Sequence, residues 1–283
     1  MSSFRAYAKI NLGLLVLEKR PEGYHRIETV FHRIDLFDEI TISPSPEIIV
    51  ESSSREAPGN ERNICFKAAD LLRRQLGVNE GVKISIQKNI PVGAGLGGGS
   101  SDAATVLRRL PSYWGKGIDE EQLGTLALKL GSDVPYFLGN GSAVAKGRGE
   151  VLEYFTLDLP YTILLCNPGI HISTAWAYQQ IAPHAIDINL KQILADPMMS
   201  ASTLRERLWN DFEVPVFAHH PEVKRIKEDM LRSGAEFALM SGSGSSVFGL
   251  FSHRNEAEQI ARAFRAMGYK TFFTPPHFVP EEV

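Results

Sequence analysis

Alternating apolar and polar residues predict a β-strand near the start of the chain. Within residues 4–14, Ala8, Ile10 and Leu12 share one face, whereas Lys9 and Asn11 lie on the other. The same alternation, or a short apolar run, predicts further strands at 82–87, 161–166, 235–239, 247–251 and 269–273. Helical spacing of apolar residues predicts helices at 64–72, 102–110, 119–130 and 255–267.

The order of these elements predicts an α+β fold, because strands and helices cluster without a steady β-α alternation. The chain has 283 residues, of which 43% are hydrophobic, so it can bury one large core or two moderate ones. A soft boundary between Glu150 and Tyr161 predicts an N-terminal domain over residues 1–155 and a C-terminal domain over residues 156–283.

A glycine-rich loop joins the strand at 82–87 to the helix at 102–110. Glycine accepts positive φ and lets a bound group approach the backbone, while the first turn of the helix offers unpaired N–H groups. The loop therefore predicts a phosphate site that needs no basic side chain. It consists of Pro91, Val92, Gly93, Ala94, Gly95, Leu96, Gly97, Gly98, Gly99, Ser100 and Ser101.

Other nucleotide-binding patterns fit this loop less well. Gly93, Gly95 and Gly98 match the spacing of a dinucleotide-binding loop, but Asp119 then opens a helix, where it is more simply a cap. No Gly-Lys-Ser or Gly-Lys-Thr closes the loop as in a Walker motif, and the segments of a protein kinase do not follow it. A flexible linker is disfavoured, because the flanking residues are apolar or alanine-rich.

Three further segments carry candidate chemistry, and each also has a plain structural interpretation. Lys9 and Asn11 belong either to a solvated strand face or to a site. Tyr24 and His25 are either ordinary strand packing or a surface that stacks on a pyrimidine and bonds to its edge. Asp133 is either a helix cap or a candidate base.

The glycine loop resembles the phosphate-binding loop of the galactokinase, homoserine kinase, mevalonate kinase and phosphomevalonate kinase superfamily. The form Gly-Leu-Gly-Gly-Gly-Ser-Ser-Asp-Ala-Ala is most similar to that of members whose substrate is a methylerythritol that carries a cytidine diphosphate group. The resemblance covers nearly the whole chain. It implies a two-domain fold, substrates in the cleft between the domains, and ATP-dependent phosphorylation of the 2-hydroxyl of that compound.

The resemblance also implies roles for individual residues. Ala-Lys-Ile-Asn-Leu makes Lys9 an expected active-site residue, and Gly-x-Asp-Val-Pro makes Asp133 the expected base. Lys9 would keep Asp133 ionised and offset charge on the transferring phosphoryl group. ATP is the expected cosubstrate and Mg²⁺ the expected metal ion. Its protein ligand stays open, because Ser100, Ser101 and Asp102 are candidates by position or only partners at the start of the helix.

Other expected contacts follow from the same resemblance. Gly-Tyr-His is similar to a cytidine-recognition segment, and the Gly-Ser loop at 240–246, on its own a hairpin loop, resembles a loop that lines the active site. Asn63 and Lys88 resemble positions near adenine, but a helix cap and a surface charge explain them equally. Helix packing explains Thr174 and Tyr178 nearly as well as a substrate pocket. The expected substrate-binding residues are Asn11, Tyr24, His25, Thr174, Tyr178, Gly242 and Gly244.

Two alternative functions stay open. One is another kinase of the superfamily, acting on homoserine or on a mevalonate derivative, which would keep the glycine loop without a preference for cytidine. The other is a non-catalytic nucleotide-binding sensor. A sensor would more simply have lost Lys9 or Asp133, and both residues are present.

Composition restricts the setting in which this chemistry takes place. The net charge of −3 lacks the signature of a nucleic-acid-binding protein. Cys65 and Cys166 are the only cysteines, which favours a reducing compartment. No apolar run is long enough to span a membrane and no cleavable leader is present, so we expect a cytoplasmic protein, monomeric or homodimeric.

Overall fold

The computed structural model describes residues 2–19, 25–181, 188–196 and 200–281 of the chain. The described residues form two sheets with helices packed on them, which confirms the α+β prediction. The strands are β1 (Ser2–Lys19), β2 (His25–Ser45), β3 (Ile48–Ser52), β4 (Gly81–Gln87), β5 (Ser142–Gly147), β6 (Val151–Phe155), β7 (Thr162–Asn167), β8 (Phe237–Met240), β9 (Val247–Phe251) and β10 (Lys270–Thr274). The helices are α1 (Ile64–Leu76), α2 (Gly98–Tyr113), α3 (Glu120–Leu130), α4 (Thr174–Gln179), α5 (Leu190–Leu194), α6 (Ala201–Arg207), α7 (Glu213–His219), α8 (Pro221–Arg232) and α9 (Arg254–Ala266). Short 3₁₀ helices lie at Asn60–Arg62 and Pro135–Leu138.

The first sheet is organised around the long strand β2. Residues 39–45 of β2 pair with β4, residues 27–31 pair with β5, and β1 runs antiparallel to most of its length. The strand order is β3-β4-β2-β5-β6, with β1 also paired to β2. Helices α1, α2 and α3 pack on this sheet through a core that includes Ile40, Ile84, Leu107 and Leu126.

The second sheet is antiparallel and has the strand order β10-β7-β9-β8. One side packs on α8 and α9, while apolar residues on the other side share a cluster with β1 and β2 that includes Ile10, Ile34, Leu165 and Phe248. Strand β1 is therefore buried on both faces. The first sheet ends at Phe155 and the second begins at Thr162. The boundary between residues 155 and 156 stays a prediction.

Local sequence patterns locate several of these elements. The predicted strand at 247–251 coincides with β9, and the predicted helix at 119–130 corresponds to α3, which Asp119 caps by accepting a hydrogen bond from the Gln122 N–H at 2.7 Å. Helix α2 begins at Gly98, inside the glycine loop, rather than at Asp102. The reason is that Gly97, at φ +69°, turns the chain into the helix without a capping side chain.

Burial of His32 in β2 predicts a pH dependence of stability. Its Nδ1 lies 2.8 Å from Ser142 Oγ, and burial lowers its pKa from 6.5 to about 4. Because the folded-state pKa lies below the unfolded value, the stability that the neutral ring contributes is complete above about pH 6.5 and is lost as the pH falls towards 4. The amide of His32→Asn can still bond to Ser142 but does not titrate. Between pH 6.5 and 4 we therefore expect its free energy of unfolding to fall less than that of the wild type, and the two losses to differ by up to about 3 kcal/mol.

Urea denaturation at a series of pH values measures this effect. The matched control is His253→Asn, which removes an exposed imidazole and should follow the pH dependence of the wild type. An unchanged pH dependence in His32→Asn would contradict the prediction.

Candidate active site

The glycine loop adopts a backbone that side chains would obstruct. Gly93, Gly95 and Gly97 have φ values of +65°, +78° and +69°. A Cβ atom at Gly95 would lie 2.1 Å from the carbonyl oxygen of Ser241, and one at Gly97 would lie 2.9 Å from Cζ of Phe137. The loop and the start of α2 line a cleft of about 340 Å³. Their backbone N–H groups can therefore meet a chain of phosphates there.

Lys9 and Asp133 meet directly below this loop. The backbone N–H of Lys9 donates to the Leu96 carbonyl at 3.0 Å, and the Lys9 side chain is only 4% exposed. Its Nζ donates to Asn11 Oδ1 at 2.7 Å and lies 3.6 Å from Asp133 Oδ2. The interpretation of Lys9 as part of a solvated face is therefore wrong, because the glycine loop and the ring of Phe31 cover that face of β1.

The carboxylate of Asp133 is not used as a helix cap. The short 3₁₀ helix after it has Val134 at its N-cap and no capping hydrogen bond from a side chain. The Asp133 side chain is 34% exposed, so a substrate can reach it. Burial lowers the pKa of Lys9, and the negative charge of Asp133 opposes that shift and favours the ammonium form. The catalytic roles of Lys9 and Asp133 stay predictions, but the structure brings the two residues together.

Lys88 is held in a buried ion-pair cluster at the entrance of the glycine loop. Its Nζ binds Asp38 Oδ2 and, at 2.8 Å, Asp102 Oδ2, so the interpretation as a surface charge is wrong. Asp38 Oδ1 also accepts hydrogen bonds from the backbone N–H groups of Asn89 and Ile90, at 2.6 and 2.9 Å. The cluster therefore fixes the loop entrance between β2 and the first turns of α2.

Asp102 acts in this cluster rather than at the start of the helix. Burial raises the pKa of Asp102 to about 8, with a contribution from the negative charge of Asp38, although Lys88 opposes the shift. Asp102 Oδ2 accepts from Lys88, and α2 has no capping hydrogen bond from a side chain. Asp38 was not predicted from the sequence, because an aspartate within a strand gives no local sign of a partner 50 residues away.

Asn63 caps helix α1, which was one of the two roles that the sequence allowed. Its Oδ1 accepts from the Cys65 N–H at 2.9 Å, and its Nδ2 donates to the Pro58 carbonyl at 2.9 Å. Asn63 and Lys88 both line the cleft of the glycine loop. Contact of either residue with adenine stays a prediction.

The expected substrate side is partly assembled by β2 and α4. Tyr24 lies outside the described residues. The rings of His25 and Tyr178 are stacked, with their centroids 5.3 Å apart and 10° between their planes. Burial raises the pKa of Tyr178 to about 12, with a smaller effect from the negative charge of Asp133. Tyr178 therefore keeps its proton at neutral pH and lies within electrostatic reach of the candidate base.

The second Gly-Ser loop joins this region to the glycine loop. It connects β8 to β9, as the hairpin interpretation predicted, and Ser241 Oγ donates to the Gly95 carbonyl at 2.9 Å. The backbone N–H of Asn11 donates to the same Ser241 hydroxyl at 3.2 Å. Ser243 Oγ lies 2.8 Å from Thr174 Oγ1. The loop with Gly242 and Gly244 thus joins the glycine loop to Thr174 on the expected substrate side.

Several supporting residues were missed by the sequence analysis. Nδ2 of Asn210 donates to the carbonyls of Met240 and Gly242, at 2.8 Å each, and so holds the second loop in place. Thr29 Oγ1 accepts from Asn11 Nδ2 at 2.8 Å and thereby orients the amide that binds Lys9. No motif distinguishes these residues, because their partners lie far away in the chain.

Two models of known protein families match parts of this chain. The GHMP kinases N terminal domain matches residues 63–143, and the GHMP kinases C terminal domain matches residues 190–270. With the paired loops and the Lys9–Asp133 contact, these matches define the class: the chain belongs to the GHMP kinases and is an ATP-dependent kinase. Within that class it belongs to the family of 4-diphosphocytidyl-2-C-methyl-D-erythritol kinases.

Curated relatives and solved structures support both the class and the family. The chain is 46% identical to the 4-diphosphocytidyl-2-C-methyl-D-erythritol kinase of Prosthecochloris aestuarii over 98% of each chain. It is 45% identical to that of Chlorobium limicola, over 98% of this chain and 97% of the relative. A crystal structure of 4-(cytidine 5'-diphospho)-2C-methyl-D-erythritol kinase matches with a TM-score of 0.82 and 35% identity, over 96% of this chain and 98% of the other. The homoserine kinase of Cytophaga hutchinsonii shares the fold, with a TM-score of 0.72 at 19% identity, over 98% and 95%.

Two further observations bear on the expected setting. Within the described ranges, no helix is both long and apolar enough to cross a membrane. Cys65 and Cys166 are both buried and unpaired.

Proposed function

We propose that this protein transfers the γ-phosphoryl group of ATP to the 2-hydroxyl of 4-diphosphocytidyl-2-C-methyl-D-erythritol, which forms the 2-phosphate and ADP. The observation that carries the proposal is the contact of Lys9 with Asp133 below the glycine loop, at 3.6 Å. The full-length similarity to kinases named for that substrate supports the choice of acceptor.

Asp133 acts as the base in this proposal. Phosphoryl transfer passes through a loose transition state, so orientation of the hydroxyl and stabilisation of charge contribute most to the rate. The Asp133 carboxylate holds the hydroxyl in line and accepts its proton while the oxygen bonds to phosphorus and the bond to ADP breaks. Its partial exposure leaves room for the substrate, and the Lys9 ammonium lies 3.6 Å from its Oδ2.

Lys9 and the glycine loop stabilise the negative charge of the transferring group. A Cβ atom at Gly97 would lie 3.2 Å from Cε of Lys9, so the loop and the lysine approach each other closely. The backbone N–H groups of residues 91–101 bind the phosphates of ATP, and the ammonium group faces the γ-phosphoryl group. Both groups are fixed before the substrate arrives, so little reorganisation is needed in the reaction.

The cytidine group binds at the stacked rings of His25 and Tyr178. An aromatic ring provides a face for a pyrimidine, and the neighbouring imidazole and backbone can bond to the base edge. Asn11 and Thr174 contribute polar contacts, and Tyr24 is proposed as a further stacking face for the base. Backbone N–H groups of Gly242 and Gly244 approach the diphosphate of the substrate.

Mg²⁺ neutralises phosphate charge when it is bound with ATP. No group of three or more histidine, cysteine or acidic side chains in the described part of the chain could hold a metal alone. This fits Mg²⁺, which is commonly bound by one or two carboxylates together with phosphate oxygens. Asp102 suits that role because its Oδ1 is buried without a hydrogen-bond partner at the cleft, and Ser100 and Ser101 are the neighbouring hydroxyls. The proposal also includes a cytoplasmic location.

A comparison of acceptors tests the proposed function. ADP release is measured with ATP and Mg²⁺ on the cytidyl compound, on homoserine and on mevalonate, and phosphorus NMR locates the new phosphate. We expect turnover of the cytidyl compound alone, with phosphorylation at the 2-hydroxyl. Turnover of homoserine or mevalonate instead would assign another kinase of the class. Binding of ATP without turnover of any acceptor would favour a sensor.

Tyr178→Leu is expected to raise KM for the cytidyl substrate by about 5- to 150-fold, because stacking of a base on an aromatic ring contributes about 1–3 kcal/mol. KM for ATP should change little, since Tyr178 does not line the glycine-loop cleft. Steady-state kinetics with each substrate varied in turn measure the two values. The matched control is Tyr113→Leu at the end of α2, where the ring is 38% exposed. Equal KM values for the cytidyl substrate in the two variants would contradict the stacking role.

A further inference from the structure

The described residues enclose a second cavity, and none of its lining residues lines the glycine-loop cleft. Its volume is about 500 Å³, within the range of roughly 300–1,000 Å³ that is usual for small-molecule sites. Its walls come from β2, from the loop before β5, from the end of β6 and from the segment after β10. The active site that we describe above makes no use of it.

Arg33 in the wall of this cavity is a buried cation without an acidic partner. It is 2% exposed, and within the described residues no carboxylate forms an ion pair with it. Its Nη2 donates to the carbonyls of Phe137 and Gly139, at 3.0 and 2.7 Å. The Nε and Nη1 atoms are buried and have no hydrogen-bond partner. Burial of an uncompensated charge costs several kcal/mol, so an anion beside this group would be strongly favoured.

Packing holds the Arg33 guanidinium in a fixed place. Its Cζ lies 5.5 Å from the ring centroid of Tyr136 and 5.8 Å from that of Phe137. These rings, with the two carbonyls that accept from Nη2, restrict the rotamers of the side chain. A ligand therefore meets a charge that is already oriented, which reduces the entropy lost on binding.

The rest of the lining is neutral and has both a polar and an apolar part. His32, Asn140, Ser142 and Tyr154 supply polar groups near Arg33, and burial lowers the pKa of His32 to about 4, so this ring is neutral at pH 7. The apolar part consists of Phe155, Leu157, Phe278, Val279 and Pro280. No aspartate or glutamate of the described chain lines the cavity, so nothing there repels an anion.

We propose that this cavity binds a small amphipathic anion, with a phosphate or carboxylate group at Arg33 and an apolar chain on Phe155 and Leu157. The site is separate from the nucleotide cleft, so it can be occupied while ATP is bound.

Four probes test the site with the nucleotide cleft saturated by a non-hydrolysable ATP analogue and Mg²⁺. Hexyl phosphate and hexanoate carry the two candidate anionic groups on the same chain, hexanol carries no charge, and inorganic phosphate carries no chain. Isothermal titration calorimetry measures their affinities. We expect at least one of the two hexyl anions to bind at least about tenfold more tightly than hexanol and inorganic phosphate. The tighter of the two identifies the preferred anionic group.

The variant Thr156→Glu tests whether the anion binds in this cavity or elsewhere on the protein. Thr156 is exposed in the cavity lining, so the new carboxylate should leave the fold intact and repel an anion. Arg33→Met removes the cation itself, but loss of its hydrogen bonds could unfold the chain, so Thr156→Glu carries the test. The matched control is Thr125→Glu on the exposed side of α3, outside the cavity.

We expect Thr156→Glu to weaken binding of the preferred hexyl anion by at least about tenfold, while Thr125→Glu changes it by less than about twofold. Equal affinities in the two variants would overturn the proposal. So would binding of hexanol as tight as that of both hexyl anions, or no detectable binding of either anion.

Discussion

Asp133→Asn is expected to lower kcat for phosphoryl transfer by about 10²- to 10⁴-fold, because the amide cannot accept the proton of the attacking hydroxyl. The substitution preserves the shape of the side chain, and the glycine-loop cleft, where we propose that ATP binds, is not lined by Asp133. KM for ATP should therefore stay close to the wild-type value. A coupled assay of ADP release, with single-turnover measurements, separates the chemical step from product release.

The matched control for this substitution is Asp119→Asn. Asp119 caps α3 at an exposed position, and asparagine is an equally good capping residue, so activity and stability should both be retained. A wild-type kcat in Asp133→Asn would remove the assignment of Asp133 as the base. It would leave the phosphate site of the glycine loop untouched.

Gly95→Ala is expected to destabilise the fold by about 2–5 kcal/mol and to abolish tight binding of ATP, because two separate costs meet at this residue. Its φ of +78° is strained for any residue with a side chain, and the added Cβ would lie 2.1 Å from the carbonyl oxygen of Ser241. The two glycine loops would have to separate, which breaks the hydrogen bond from Ser241 Oγ to the Gly95 carbonyl. Urea denaturation and calorimetric titration with ATP measure the two effects.

Gly117→Ala provides the comparison for this variant. A Cβ at Gly117 meets no atom within 4 Å, and the residue lies in the exposed turn before α3. Stability and ATP affinity should both stay near the wild-type values there. If Gly95→Ala bound ATP as tightly as Gly117→Ala, the close contact between the two loops would not be needed for the nucleotide site.

Local sequence patterns were sufficient for several of the elements, and they marked the glycine loop as a predicted phosphate site. Strand β9 and helix α3 lie where the apolar residues predicted them. The repeat of a strand is about 2 residues and that of a helix is about 3.6 residues, so each can be recognised within a short segment of sequence. The glycine loop was recognisable because the phosphate binding that we propose for it depends on backbone N–H groups and on the absence of side chains, both of which are local properties. The superfamily resemblance, which the comparisons confirm, extended this to ATP and to the class of acceptor.

Burial was where the local patterns failed. The alternation around Lys9 is equally consistent with a solvated face, and the charge of Lys88 is equally consistent with a surface position. Lys9 is buried because the glycine loop and the ring of Phe31 cover its face of β1. Lys88 can be buried because Asp38 on β2 and Asp102 on α2 form ion pairs with its ammonium group.

The sequence by itself determined the α+β class and predicted the phosphate-binding loop, because both depend on residues adjacent in the chain. Only the tertiary structure decided which side chains share a site. It places Asp133 beside Lys9, stacks Tyr178 on His25, and leaves Arg33 buried beside a second cavity. The physical reason is that the charge state, burial and partners of a side chain are set by residues far away in sequence, and the strength of an electrostatic contact depends on how completely the fold excludes water from it.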